Sequence, residues 1–247
     1  MAIVLMPLPA RDFDPTESGV PWKLLCERGH RVVFATPDGK PAQADPRMLD
    51  GKGLGMLKPF LAANQHGRDA YRAMAASAEF NAPLRYDQIS VNGLDGLLLP
   101  GGHAPGMRSY LESADLQDVV TSMFLERKSV GAICHGVVLV ARSLGADGLS
   151  VLHGRQTTAL LQNQELLAWN LTRAWLGDYY RTYPQTVQAE VIAALAKPSD
   201  FITGPLPFRR DTDDNLTHGF ALRDGHYLSA RWPGDAHHFA HEFCAML

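Results

Sequence analysis

GAICHGVVLVARSLG (131–145) carries an apolar run into a helical pattern across one cysteine and one histidine. VGAI reads as a buried strand ending at Cys134, and residues 136–144 as the helix that follows it. Ala132 and Gly136 are small enough for the tight backbone of a nucleophile elbow, the turn that pushes a side chain out from the end of a strand. A helix N-terminus beneath Cys134 favours negative charge, so the spacing predicts a thiolate. The competing reading is a buried structural cysteine, a common setting for that residue type. His135, from which a packed core gains little, and the flanking glycines favour the elbow.

Outward from this stretch the chain alternates as a parallel α/β sheet does. Ile3 to Met6 reads as a buried strand stopped by Pro7 and Pro9. Thr16 reads as an N-cap with Glu17 in the first turn, Pro21 as tolerable only near a helix start, and Gly29 as the helix end. RVVFAT (31–36) is the next strand. GLLLP (96–100) is strand-like, and a polar helix covers roughly 115–127. QNQELLAWNLTRAWLGDYY (162–180) has helical periodicity, with Leu166, Trp169, Leu171 and Trp175 as expected core positions. HGFALRDGHYLSARW (218–232) reads as a hairpin about a DG turn, and GDAHHFAHEFCAML as a closing helix. The expectation is one doubly wound α/β domain over 1–247, with an insertion at about 38–80 over one sheet edge and a covering segment at about 186–215.

With 247 residues, 46% of them apolar, the chain can bury a substantial core without disulfides or structural metal. A formal charge of −3 and no basic block argue against nucleic acid as a partner. Cys26, Cys134 and Cys244 form no CxxC and cannot all pair, which suits a reducing compartment. The N-terminal apolar run lacks a basic leader and is too short for a signal peptide or a membrane span. A cytoplasmic protein without membrane association is therefore expected.

A thiol that attacks a carbonyl needs donors for the developing oxyanion. LLLPGGHAPGM (97–107) leaves the N–H groups of Gly101, Gly102 and His103 outside any ladder at an earlier strand end, and the His135 N–H directly follows the nucleophile. Pro100-Gly101-Gly102 can also be a plain turn.

GAICHG after a strand, PGGHAPGM at an earlier strand end, and TESGVPWKLL followed by GHRVVFATPDG together resemble the DJ-1/PfpI superfamily. Within it they are most similar to the Hsp31-like branch, the class I glutamine amidotransferase-like proteins. The resemblance implies a flavodoxin-like three-layer sandwich with a mostly parallel sheet, usually assembled as a homodimer. It implies Cys134 as nucleophile, His135 as its neighbouring histidine, and Glu17 as the acid against the thiol, able to hold and move a proton. It also implies an acid beyond the elbow helix that orients His135. TTALLQNQELLAW resembles the segment that supplies it and points to Glu165, with Asp147 a weaker candidate.

The activity so implied is turnover of small reactive carbonyls: a glutathione-independent glyoxalase that makes lactate from methylglyoxal through a hemithioacetal on Cys134, needing no metal or cofactor. The alternatives are an amidase or peptidase-type hydrolase, and a stress chaperone or redox sensor using the same cysteine. True glutamine amidotransferases use a remote His-x-Glu, and no histidine here is followed by Glu two positions later. His237 and His241 have a zinc-compatible helical spacing without HExxH, and no metal is expected. Arg209 and Arg210 read as solvated loop residues in preference to ligands of an anionic substrate.

Overall fold

The apolar runs form the middle of a seven-stranded sheet in a computed structural model that describes residues 1–247. The strands are β1 Ile3–Pro7, β2 Arg11–Phe13, β3 Arg31–Thr36, β4 Gln43–Ala44, β5 Leu84–Arg85, β6 Gly96–Leu99, β7 Ser129–Ile133, β8 Ala221–Asp224 and β9 Tyr227–Ala230. The order across the sheet is β5-β3-β1-β6-β7-β9-β8, with β2 and β4 paired separately. All neighbours in the large sheet run parallel except β8 and β9, the hairpin that turns at Gly225, whose φ is 63°. β6 is buried along its whole length and β1 along all but its first residue, as strands covered on both faces must be.

The main helices are α1 Pro15–Glu27, α2 Gln65–Ala75, α3 Ala114–Leu125, α4 Gly136–Arg142, α5 Gln162–Leu176, α6 Val187–Ala194 and α7 Ala236–Cys244. α1 and α7 pack together on one face of the sheet, and α3 and α4 on the other. The chain order reverses between β1 and β6, and the carboxyl ends of β1, β6 and β7 open at that switch point, where ligands bind in such sheets. No helix is long and apolar enough to cross a membrane.

Three local expectations are corrected. Asp14, not Thr16, caps α1: its Oδ1 accepts from the N–H groups of Thr16 at 2.7 Å and Glu17 at 3.0 Å, and Pro15 takes the first helical position. The helix then runs on through Pro21, which costs it the hydrogen bond Pro21 cannot donate. Only part of the apolar stripe of α5 is packed. Trp169 is partly buried against Met48, Leu54, Ala62 and Tyr180, and Leu166 is partly buried. Leu171 and Trp175 are 47% and 53% exposed, because this helix lies beside a cavity lined by Leu171 and not on the sheet. Residues 38–80 carry β4 and α2, which packs on α1, while 186–215 begins with α6 against α4 and continues as loop.

Candidate active site

β7 delivers Cys134 into the turn with φ 57°, the left-handed region that non-glycine residues seldom occupy. Its N–H still donates to the Ala230 carbonyl at 3.0 Å, so the last ladder bond of the strand anchors the strained residue. Two glycines are required by close approach. A Cβ on Gly136 would lie 2.1 Å from the Leu99 carbonyl oxygen. One on Gly101 would lie 2.7 Å from His135 N, 2.8 Å from Glu17 Oε2 and 2.9 Å from Cys134 Cβ. Cys134, Glu17 and the end of β6 thus meet at one point.

Glu17 is wholly buried, and its Oε2 accepts from the Gly101 N–H at 2.9 Å. Its side chain lies against the Cys134 thiol. Burial pushes the Glu17 carboxyl well above its usual range, and neighbouring Asp14 adds to this. Burial likewise pushes the thiol well up, reinforced by Glu17 and Asp14 and opposed by the His135 N–H aimed at the sulfur. The expected resting thiolate is therefore disfavoured. A helix terminus contributes about 0.3–1 kcal/mol, less than the several kcal/mol it costs to bury a charge. Both charges are disfavoured by burial, and the pair shares the first anion that forms.

His135 is buried, with Nδ1 3.5 Å from Cys134 Sγ and Nε2 3.1 Å from Thr182 Oγ1. The Thr182 hydroxyl donates to the His103 carbonyl, so Nε2 carries the hydrogen and the Nδ1 lone pair faces the sulfur. Burial, then His103 and Arg142, hold His135 well below the usual histidine range. Glu165 does not orient it. That carboxylate accepts from the Val187 N–H at 2.9 Å, lies 3.4 Å from Arg181 Nε, and is raised by burial to about 7. Asp147 is an exposed turn residue that accepts from the Leu149 N–H. Thr182 holds the position that the family resemblance assigned to an acid, and no neighbouring motif marks it.

The proposed oxyanion donors separate. The Gly101 N–H is already engaged by Glu17, which removes it from that role, whereas the N–H groups of Gly102 and His103 donate to no protein acceptor. The His103 ring stands edge-on to His135 and to Tyr180, each at 5.2 Å between centroids. Burial lowers it to about 4, and its Nδ1 has no partner. One nitrogen from each of His103 and His135 lies with Cys134 Sγ inside 4.8 Å, a donor set suited to zinc or a similar ion. His237 and His241 instead both face Asp213, at 2.8 and 3.9 Å.

His103 also floors a cavity of about 730 Å³ whose wall includes Arg210. Arg210 Nη2 donates to the Ala62 carbonyl at 3.2 Å, so this residue is built into the wall and is not the solvated loop residue expected. The model described as ThiJ/PfpI family-like matches residues 8–205, which span Glu17, Gly101, Cys134, His135 and Thr182. The chain belongs to the ThiJ/PfpI (DJ-1/PfpI) family. This ThiJ/PfpI protein is 22% identical to deglycase PfpI of Pyrococcus furiosus over 240 residues, 97% of this chain and 96% of that one. It is 31% identical to an uncharacterised protein of Schizosaccharomyces pombe over 115 residues, 46% of this chain and 42% of that one. Glyoxalase III of Candida albicans shares the ThiJ/PfpI fold, with TM-score 0.65 and 16% identity over 100% of this chain and 97% of that one.

Proposed function

We propose that this ThiJ/PfpI protein converts 2-oxoaldehydes to 2-hydroxy acids without glutathione, methylglyoxal to lactate being the simplest case. The observation that carries this reading is the buried Cys134–Glu17 pair, a nucleophile and a proton carrier in contact and closed to water. Its distant relatives include proteins named as a deglycase and a glyoxalase III, which supports carbonyl chemistry in general terms.

Once the pair has given up one proton, the sulfur adds to the aldehyde carbon and the remaining proton passes to the carbonyl oxygen, giving a hemithioacetal and leaving Glu17 ionised. The N–H groups of Gly102, His103 and His135 are the donors nearest the oxyanion formed on the way. Glu17 takes the proton from the former aldehyde carbon, and an enediol forms. Its return to the adjacent carbon leaves a thioester of the 2-hydroxy acid. One carbon is oxidised and its neighbour reduced, so no external oxidant is required. Water then cleaves the thioester, releasing the acid and restoring the thiol.

Amide hydrolysis is the second reading, favoured by the 3.5 Å contact between Cys134 and His135. It needs His135 as the acid for a leaving amine. A ring held neutral by burial is a weak source of that proton, which ranks this reading lower.

The test is lactate formation from methylglyoxal by the purified protein with no glutathione. Cys134→Ala abolishes it, and Glu17→Gln lowers kcat by about 10²–10⁴. A folded wild type that forms no lactate, or a Cys134→Ala variant that still does, overturns the reading.

A further inference from the structure

The cavity above His103 is larger and more apolar than methylglyoxal requires. At about 730 Å³ it falls among pockets that enclose drug-sized ligands, and a substrate with a single methyl group would leave most of it empty. Leu57, Leu160, Leu167, Leu171 and Phe208 form much of its wall. They come from the 38–80 segment, from α5 and the residues just before it, and from the 186–215 segment. The wall is therefore assembled almost entirely from parts of the chain outside the sheet.

Polar atoms on the same wall are left unmatched. Tyr180 Oη, Gln164 Oε1, Arg210 Nη1, Trp232 Nε1 and His103 Nδ1 are buried with no protein partner, and all five side chains line the cavity. Tyr180 is 1% exposed and His103 8%. Buried polar atoms without partners are costly, so the donors among them mark where oxygens of a ligand or its waters sit, and the Gln164 Oε1 acceptor marks a place for a water. They suit a molecule with an apolar body and a few oxygens. They do not suit an extended peptide, whose repeating N–H and C=O groups would lie against leucine and phenylalanine. The cavity ends one side chain short of the thiol, since a nitrogen of its floor residue His103 lies within 4.8 Å of Cys134 Sγ.

We infer that the preferred substrates are 2-oxoaldehydes bearing a large apolar substituent, aryl or branched alkyl, seated in this cavity with the aldehyde end at His103 and Cys134. This rests on the carbonyl reading above and specifies which carbonyls the site takes. The reaction is unchanged: the aldehyde gains one water and leaves as the matching 2-hydroxy acid. Because Cys134 has no exposed surface, this assignment requires the His103 ring to move aside for the aldehyde to reach the sulfur.

The test compares kcat/KM for methylglyoxal, isobutylglyoxal and phenylglyoxal. Each methylene placed in an apolar pocket is worth about tenfold or more, so both bulky aldehydes should exceed methylglyoxal by at least roughly tenfold. Ala168→Phe, which fills the cavity, and Phe208→Ala, which trims an 83% exposed wall residue without threat to folding, should each reduce the phenyl-to-methyl ratio. A second readout does not depend on turnover. Binding of 1-phenyl-1,2-propanedione and of butane-2,3-dione to Cys134→Ala is followed by tryptophan fluorescence, with Trp232 in the wall. The phenyl compound should bind at least about tenfold more tightly. Equal kcat/KM across the aldehydes, or equal binding of the diones, overturns the inference and leaves the carbonyl reading intact. No turnover of any aldehyde by folded protein overturns the carbonyl reading, and with it the assignment of these substrates.

Discussion

Cys134 occupies a position that burial makes chemically reluctant and geometry makes useful. The thiol and the Glu17 carboxyl are both raised, so the sulfur becomes anionic as pH rises through a range above that of a free thiol. Alkylation of Cys134 by iodoacetamide should therefore be slow near neutral pH and accelerate into the alkaline range. Because Glu17 is one of the groups raising the thiol, Glu17→Gln should move this profile to lower pH even as turnover falls. A profile that moves upward would contradict the assignment. Thr182→Val removes the acceptor that holds the His135 tautomer, and should lower kcat by roughly tenfold with little effect on folding. Cys134 and His135 were legible because they sit at a glycine-flanked strand end; Glu17 read by itself as a first-turn helix residue, and only the family resemblance put it against the thiol. Thr182 was not, since it meets His135 from 47 residues away and has the look of any loop threonine.

Among the elements, α5 shows what periodicity can and cannot convey. Its 3.6-residue pattern was legible, but Leu171 lines the cavity and Trp175 lies half-exposed with its Nε1 on the Gly53 carbonyl, destinations no pattern encodes. Glu165, buried on the same helix, holds its proton to about 7 against an ordinary 4.5. The folded state then binds that proton more tightly than the unfolded chain. The stability it contributes is present below about 4.5 and is lost as pH rises to about 7. Denaturant unfolding across this range should show wild type losing up to roughly 3 kcal/mol relative to Glu165→Gln. Parallel curves for the two proteins would show that Glu165 does not titrate abnormally. At the start of α1, Asp14→Ala should destabilise by about 1–2 kcal/mol through loss of the cap and lower activity by misplacing Glu17. The cap itself was misassigned to Thr16 because Asp14 and Thr16 are both capping residue types, and only the paired N–H contacts decide between them.

On the scale of the whole molecule, the alternating strands and helices disclosed the doubly wound sheet, its hairpin edge and its closing helix. DAYRAMAASAEF (69–80) was legible as helical and overlaps α2, but the β2–β4 pair and the rest of the paths of 38–80 and 186–215 were not, since those stretches take their shape from what they pack against. They also build the cavity, so the scaffold was readable and the specificity surface was not. Arg231 helps hold the second of these segments to the sheet. Wholly buried, it forms two 2.9 Å bonds to Asp235 and donates to the carbonyls of Thr203 and Pro205. Arg231→Met leaves Asp235 uncompensated and should cost about 3–5 kcal/mol in chemical denaturation.

The most direct test of a covalent role for Cys134 is mass spectrometry of the protein quenched during turnover of methylglyoxal. The account predicts one acyl or hemithioacetal adduct on the peptide containing Cys134, accumulating when thioester hydrolysis is slow and absent from Cys134→Ala. Sustained lactate formation with Cys134 unmodified and freely alkylated throughout would contradict it.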